Sequence, residues 1–247
     1  MDTGRPAAPQ PPGTAIPGLP HLDATVVAAS RYLEALTKLS EAEMRAPSLL
    51  PGWTRGHVIT HLARNADGLA GMLEEARHGA STAMYPSQES RDADIDAGAG
   101  RPAAELEADA VETCERWLRA ARALPADMLE TPVTRLPGTE PFPVRRVGVM
   151  RRTEVEVHHA DLGTGYTADD WPEDLVDHLL HRRDRELTSM GLGLTVLATD
   201  RSSGFSTGGG PEVAGTAADL AWWLIGRGDG TTLTCSAGTL PELGRWV

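Results

Sequence analysis

Residues 151–162 read Arg-Arg-Thr-Glu-Val-Glu-Val-His-His-Ala-Asp-Leu and contain neither glycine nor proline. Read as a helix, this segment places Glu154 and His158 four positions apart on one face, with their Cβ atoms about 5–6 Å apart. A carboxylate and an imidazole at that separation can hold one metal ion. The segment therefore predicts a helix with two candidate metal ligands, and a third ligand would have to come from elsewhere in the chain.

Two other interpretations of this segment stay open at this point. Val155 and Val157 alternate with charged residues, and on a strand Glu154, Glu156 and His158 would share one face. The length of the segment favours a helix, because strands usually span about 5–6 residues. A helix with this spacing is also typical of a solvated, charged face. The spacing alone does not establish a metal site.

The overall composition narrows the class of protein. The 247 residues suffice for one large domain or two small ones. A net charge of −12 and an aromatic content of 4% argue against a general nucleic-acid binder. No apolar run approaches the ~18 residues of a transmembrane helix, and we find no pattern of a secretory signal. Two cysteines are too few for a disulfide framework, so we expect a cytoplasmic protein in which Cys114 and Cys235 only pack.

The chain begins with a proline-rich segment. Residues 1–20 hold six prolines and are predicted to form a disordered tail without a role in the chemistry. Apolar residues then recur at helical spacing, which predicts four further helices over about residues 21–39, 55–77, 102–124 and 171–190. We interpret the stretches between them as a long polar loop of the kind that forms lids, at 78–101, and a connection with a short hairpin, at 131–147.

The composition changes after residue 190. Residues 192–198 and 231–236 read as strands, and residues 214–226 read as a helix. Residues 202–211 are glycine-rich and turn-like, without the ending of a phosphate-binding loop. We therefore predict a mainly α protein, with a helical domain followed by a small α+β domain.

The predicted helix over residues 55–77, with Thr54 as its N-cap, carries two histidines. His57 and His61 are four positions apart, but the zinc-protease motif requires a glutamate directly after the first histidine, and Val58 stands there. His57 falls in the first turn, whereas His61 lies one turn deeper beside the apolar stripe. His61 is thus a candidate ligand, with a hydrogen-bonded core histidine as the alternative.

Several motifs together resemble one family. Residues 50–62, Leu-Pro-Gly-Trp-Thr-Arg-Gly-His-Val-Ile-Thr-His-Leu, resemble the first ligand helix of the mycothiol-dependent maleylpyruvate isomerases, which belong to the DinB-like helical-bundle superfamily. Residues 154–162 resemble the second ligand segment of that family, and residues 84–87 and 224–227 also fit. The resemblance spans about residues 22–247. Its specificity lies in the occurrence of these motifs together and in order.

The resemblance implies a fold and a site. The fold is a DinB-like four-helix bundle, here residues 21–190, followed by a C-terminal α/β domain, here residues 191–247. The site is a divalent metal, usually zinc, held by two histidines and a glutamate, with a functional arginine from the C-terminal domain. Carried over by position, these residues are the ligands His61, Glu154 and His158, and the arginine Arg227. His159 stays a possible replacement for His158, since adjacent helical residues point about 100° apart.

This donor set suits one kind of chemistry. Two imidazoles and a carboxylate leave an open coordination position on zinc, where a bound thiol is deprotonated to the nucleophilic thiolate. The resemblance implies that the thiol is mycothiol. Its thiolate adds to the cis double bond of maleylpyruvate, the bond rotates, and elimination gives fumarylpyruvate. Arg227 then stabilises an enolate or clamps a substrate carboxylate, unless it only complements the end of a helix.

Four further polar residues have weaker expectations. Asn65 and Asp161 are candidates for orienting the imidazoles, with surface hydrogen bonding as the alternative. Arg151 and Arg152 have the charge to attract a dianionic substrate, but we expect them on a solvated face.

Three other functions stay open. A mycothiol S-transferase acting on another electrophile would use the same metal and thiolate. Two histidines and a carboxylate also suit a mononuclear iron oxygenase, although the predicted helical fold disfavours it. A non-catalytic ligand-binding bundle is the third. The expected partners are a small dicarboxylate-type substrate and a low-molecular-weight thiol, without nucleic acid or membrane, in a monomer or homodimer.

Overall fold

A computed structural model of the chain describes residues 18–243. The predicted tail, residues 1–20, therefore lies outside the described residues except for its last three. Eight α-helices occur in the described part: α1 (Leu22–Leu36), α2 (Glu41–Arg45), α3 (Arg55–Ala76), α4 (Gln88–Ala99), α5 (Ala103–Ala123), α6 (Val147–Asp161), α7 (Glu173–Met190) and α8 (Ala217–Leu224). None of these helices combines the length and the apolar character needed to span a membrane.

The strands of the described part form two small sheets. One is the antiparallel pair β1 (Pro132–Val133) and β2 (Phe142–Pro143), which confirms the predicted short hairpin. The other has four strands: β3 (Thr195–Ala198), β4 (Gly204–Ser206), β5 (Glu212–Gly215) and β6 (Thr234–Cys235). Its strand order is β4-β3-β5-β6, with β3 and β5 parallel and both outer pairs antiparallel. The mainly helical fold class is thus confirmed.

The predicted helices largely agree with the structure. Helices α1, α3, α5 and α7 confirm the four segments read from helical spacing, and α6 confirms the helix over residues 151–162 in place of a strand. The prediction of a loop throughout residues 78–101 was wrong, because α4 occupies half of it. Ser87 begins α4 by accepting a hydrogen bond from the Ser90 amide at 3.1 Å. Only Ile95 and Ala99 of α4 are buried apolar residues, so its periodicity is weak.

The chain consists of two compact units. The described part of the first comprises residues 18–33 and Ile59–Arg152. Its core is formed by apolar residues of α3 and α5 together with the hairpin, and includes Leu69, Leu73, Trp117, Val133 and Val144. Within it, Asp109 of α5 accepts hydrogen bonds from Arg64 and Arg101 at 2.5 Å each, so one carboxylate joins three segments.

The described part of the second unit comprises Glu34–Val58 and residues 153–243. Val196 of β3 pairs with Val213 of β5, and both are buried in a core that also takes Leu179 of α7 and Leu220 of α8. Gly191 ends α7 at φ 68°, a left-handed conformation that favours glycine. The predicted strands are confirmed in shortened form, and β4 lies inside the stretch predicted as a turn. The predicted domain boundary at residues 190 and 191 stays a prediction.

Candidate metal centre

His61 lies in the second turn of α3, on a buried face. The Thr54 hydroxyl accepts a hydrogen bond from the His57 amide at 3.4 Å at the start of the helix, while the His57 ring stays close to Thr54. His61 is only 3% exposed, and Val58 and Leu62 beside it are fully buried. His61 is therefore a buried side chain.

Glu154 and His158 lie on α6, whose surroundings differ from the expected solvated face. Arg151 is 1% exposed and Arg152 is 3% exposed, so the prediction of solvated arginines was wrong. The Arg151 guanidinium donates to the Leu62 carbonyl at 2.8 Å and to Asn65 Oδ1 at 2.9 Å. These bonds compensate the loss of water, which is the condition for burying a charge.

Three of the predicted site residues come together. His61, Glu154 and His158 each offer one ligand atom, and these atoms all lie within 4.8 Å of one another. Within the described residues, this is the group of histidine, cysteine and acidic side chains that fits a metal ion. The group contains His158 and not His159.

Asp161 orients the His158 ring within the second unit. Its Oδ2 lies 2.8 Å from His158 Nδ1, and His158 Nε2 lies 3.5 Å from a Glu154 carboxylate oxygen. In a neutral ring, donation from Nδ1 to Asp161 leaves the lone pair on Nε2, the nitrogen that faces Glu154. Burial opposes the charged form of His158, but the hydrogen bonds with Asp161 and Glu154 outweigh it and raise the pKa.

Arg227 reaches the same carboxylate. Its Nε and Nη2 donate to the two Asp161 oxygens at 3.1 Å each, and its Nη1 donates to the Ile225 carbonyl at 3.1 Å. Asp161 is fully buried, which opposes its charged form, yet the hydrogen bonds from His158 and Arg227 hold its pKa below the ordinary value. Within the second unit, Asp161 therefore connects a candidate metal ligand to the predicted catalytic arginine.

His159 has a different environment. Its ring stacks on Tyr166 with centroids 4.1 Å apart and planes 5° apart. The Tyr166 hydroxyl donates to the buried Glu156 carboxylate, and Trp171 Nε1 donates to the Glu156 carbonyl at 3.2 Å. These contacts fix a second side of α6.

Sequence reasoning missed Arg91 of α4. Its Nη2 lies 3.0 Å from His61 Nδ1 within the first unit. The contact joins positions 30 residues apart, and Arg91 fell in a segment predicted to be a loop, so no spacing pattern indicated it.

Asn65 and the two cysteines form hydrogen bonds outside the group of candidate ligands. The side chain of Asn65 is a partner of Arg151, and its predicted role in orienting an imidazole stays a prediction. Cys114 Sγ accepts from Arg151 Nη2 at 3.4 Å, and the Cys235 thiol donates to the Thr239 carbonyl at 3.0 Å. Both cysteines are free and partly buried.

The three grouped side chains fit a divalent metal by their chemistry. Imidazole nitrogens and a carboxylate oxygen are zinc ligands, and three protein ligands are the number found in catalytic zinc sites. The carboxylate of Asp161 behind His158 supplies the outer hydrogen bond that metal-binding histidines usually make.

The chain is similar to known proteins in sequence and in fold. The family model for the mycothiol maleylpyruvate isomerase N-terminal domain matches residues 26–163. A crystal structure of the mycothiol-dependent maleylpyruvate isomerase has a TM-score of 0.85 and 31% identity, with 92% of this chain and 95% of that chain covered. The structure of a histidine-to-alanine mutant matches with a TM-score of 0.85, 30% identity and the same coverage. A comparison with curated proteins gives no match.

Proposed function

Because the chain belongs to the mycothiol maleylpyruvate isomerase family, a family of enzymes, we propose that it isomerises maleylpyruvate to fumarylpyruvate with mycothiol and a divalent metal. The observation that carries the proposal is the group of ligand atoms on His61, Glu154 and His158, within 4.8 Å of one another. We propose zinc as the metal because this donor set is typical of catalytic zinc.

His61, Glu154 and His158 are the proposed metal ligands. A bound divalent cation supplies the positive charge that keeps a thiol ligand deprotonated, and a thiolate is the nucleophile that cis–trans isomerisation by addition and elimination requires. His61 and His158 give neutral nitrogen donors, and Glu154 gives the one negative charge of the ligand set. Glu154 is the most exposed of the three, with 24% of its side chain accessible.

Asp161 fixes the donor atom of His158. Its oxygen, 2.8 Å from Nδ1, favours a proton on that nitrogen, and in the neutral ring this leaves the lone pair on Nε2 for the metal. Because the carboxylate already carries its charge and is buried, this orientation exists before any ligand arrives.

Arg227 is the proposed partner of the substrate's negative charge. Its guanidinium is held at two oxygens of Asp161, so its planar fork has a defined direction. A cation fixed in this way stabilises an enolate or binds a carboxylate without having to reorganise.

An isomerase assay tests the proposal. Purified protein loaded with one equivalent of zinc is given maleylpyruvate with and without mycothiol, and fumarylpyruvate is measured. The wild type should turn over only with mycothiol, and His61→Ala should lose activity by at least about 10²-fold. His57→Ala is the matched control, a histidine one turn earlier on α3 whose ring lies against Thr54, and it should keep the activity. Equal turnover without mycothiol, or by the His61→Ala variant, would contradict the proposal.

A further inference from the structure

Arg91 makes an uncommon contact for an arginine. Its side chain is 12% exposed, and its Nη2 lies 3.0 Å from Nδ1 of the buried His61 ring. The other end of the guanidinium meets the exposed side chain of Asp92 at 2.7 Å, and the ring of Tyr85 lies 5.9 Å away. All four residues belong to the first unit.

The direction of this hydrogen bond fixes the form of the His61 ring. An arginine only donates, so Nδ1 of His61 has to be the acceptor. A neutral imidazole with an accepting Nδ1 carries its single proton on Nε2.

That form of the ring is incompatible with a bound metal. If the metal binds Nδ1, it takes the lone pair that accepts from Arg91. If the metal binds Nε2, the ring proton has to move to Nδ1, which then donates and has no lone pair for Arg91. The contact between Arg91 and His61 is lost in both cases.

We propose that Arg91 and the metal ion are alternative partners of His61, and that metal binding releases the Arg91 guanidinium to bind a carboxylate of the substrate. This inference rests on the proposed metal ligands and names a second residue for substrate binding, in addition to Arg227. Arg91 suits the role because its planar fork matches a carboxylate and its position is largely shielded from water. Metal and dicarboxylate then favour each other, because the same arginine opposes the first and attracts the second.

Zinc titration of Arg91→Met and of the wild type tests whether Arg91 and the metal compete for His61. Removing the guanidinium removes both a competitor for His61 and a neighbouring positive charge. We expect the variant to bind zinc about tenfold more tightly, which corresponds to about 1.4 kcal/mol. Arg119→Met is the control, since it removes one exposed arginine of α5 that pairs with Glu115, and it should bind zinc like the wild type.

Maleate binding to the zinc-loaded proteins tests whether the released Arg91 binds a carboxylate. Maleate carries two carboxylates on a cis double bond and does not require turnover. We expect Arg91→Met to bind it about tenfold more weakly than the wild type. A purely structural role of Arg91 would weaken zinc and maleate binding together, whereas the proposal requires opposite changes. Unchanged or weaker zinc binding by folded Arg91→Met would overturn the inference, as would unchanged maleate binding.

The protonation of the His61 ring can also be measured in the wild type, which does not depend on the folding of an Arg91 variant. Imidazole ¹⁵N spectra, with the His61 signals assigned from the His61→Ala protein, report which ring nitrogen carries the proton. In the metal-free protein we expect the proton on Nε2, and zinc should change the signals of His61. A proton on Nδ1 before metal is added would overturn the inference. If the metal-free protein carries the His61 proton on Nδ1 and still binds zinc, only the inference about Arg91 fails and the proposed function stands. If the wild type takes up no zinc, both the inference and the proposed function fail.

Discussion

The Asp161 carboxylate lies 2.8 Å from Nδ1 of His158, three residues earlier on α6. The same carboxylate accepts two hydrogen bonds from Arg227, and its backbone carbonyl accepts one from the Leu49 amide at 2.8 Å. A single buried residue thus joins the end of α6, the C-terminal segment and the turn before α3 within the second unit.

This relationship predicts the effect of Asp161→Asn. The amide keeps the size of the side chain but loses the charge, and it no longer enforces a proton on His158 Nδ1. We expect zinc affinity to fall by about 10–100-fold. Competition with a chelator of known affinity measures this, with the exposed Asp169→Asn as the control. Unchanged affinity in Asp161→Asn would show that His158 needs no such partner.

Arg227→Met separates two roles of the arginine. If Arg227 meets the substrate, we expect kcat/KM to fall by about 10²–10³-fold while zinc affinity stays within about threefold. Parallel assays of turnover and metal affinity measure the two quantities. A loss of zinc affinity as large as the loss of activity would mean that Arg227 acts through Asp161 and His158.

Gly98 lets α4 approach α3. A Cβ added at Gly98 would lie 2.5 Å from Cγ2 of Thr60, which precedes His61. We expect Gly98→Ala to reduce the free energy of unfolding by about 1–3 kcal/mol through overpacking. Gly71→Ala is the matched control in α3, because no atom lies within 4 Å of its added Cβ, and a helical alanine should stabilise by about 0.5–1 kcal/mol. Denaturant titrations that rank the two variants in the opposite order would contradict this packing.

Glu186 on α7 gives a prediction for pH. Burial opposes its charged form, but Arg182 and Arg183, each donating at 2.7 Å, hold its pKa below the ordinary value. A lowered pKa in the folded state adds stability above the unfolded pKa of about 4.3, and this is lost as the pH falls. We expect Glu186→Gln to reduce the free energy of unfolding at pH 7 by about 0.5–1.5 kcal/mol, since 32% of the side chain is exposed and solvent screens part of the interaction.

The difference between Glu186→Gln and the wild type should shrink as the pH falls through the lowered pKa of Glu186 in the folded protein. Chemical denaturation at a series of pH values measures it. Glu115→Gln is the control, because Glu115 also pairs with an arginine four positions away but is largely exposed, and it should change stability by less than about 0.5 kcal/mol. A difference that stays constant with pH would assign the effect of Glu186→Gln to packing.

The local parts of this structure could be predicted from the sequence. The apolar spacing gave α3, α5 and α7, and the absence of glycine and proline favoured the helix that carries Glu154 and His158. These signals act over one or two helical turns, so neighbouring residues suffice to show them.

The parts that depend on distant partners could not be predicted in this way. Arg151 is buried because the Leu62 carbonyl and Asn65, more than 80 positions away, accept its hydrogen bonds. Arg91 reaches His61 from a helix with few apolar residues. Val111 of α5 is apolar but 38% exposed, because the buried face of this helix passes through Ala110 and Thr113.

Zinc-edge anomalous diffraction from a crystal of the zinc-loaded wild-type protein tests the metal site most directly. We predict one strong peak bonded to His61, Glu154 and His158, with zinc–nitrogen distances of about 2.0–2.1 Å. No peak at these three residues, in a protein that still isomerises maleylpyruvate, would contradict the proposed metal centre.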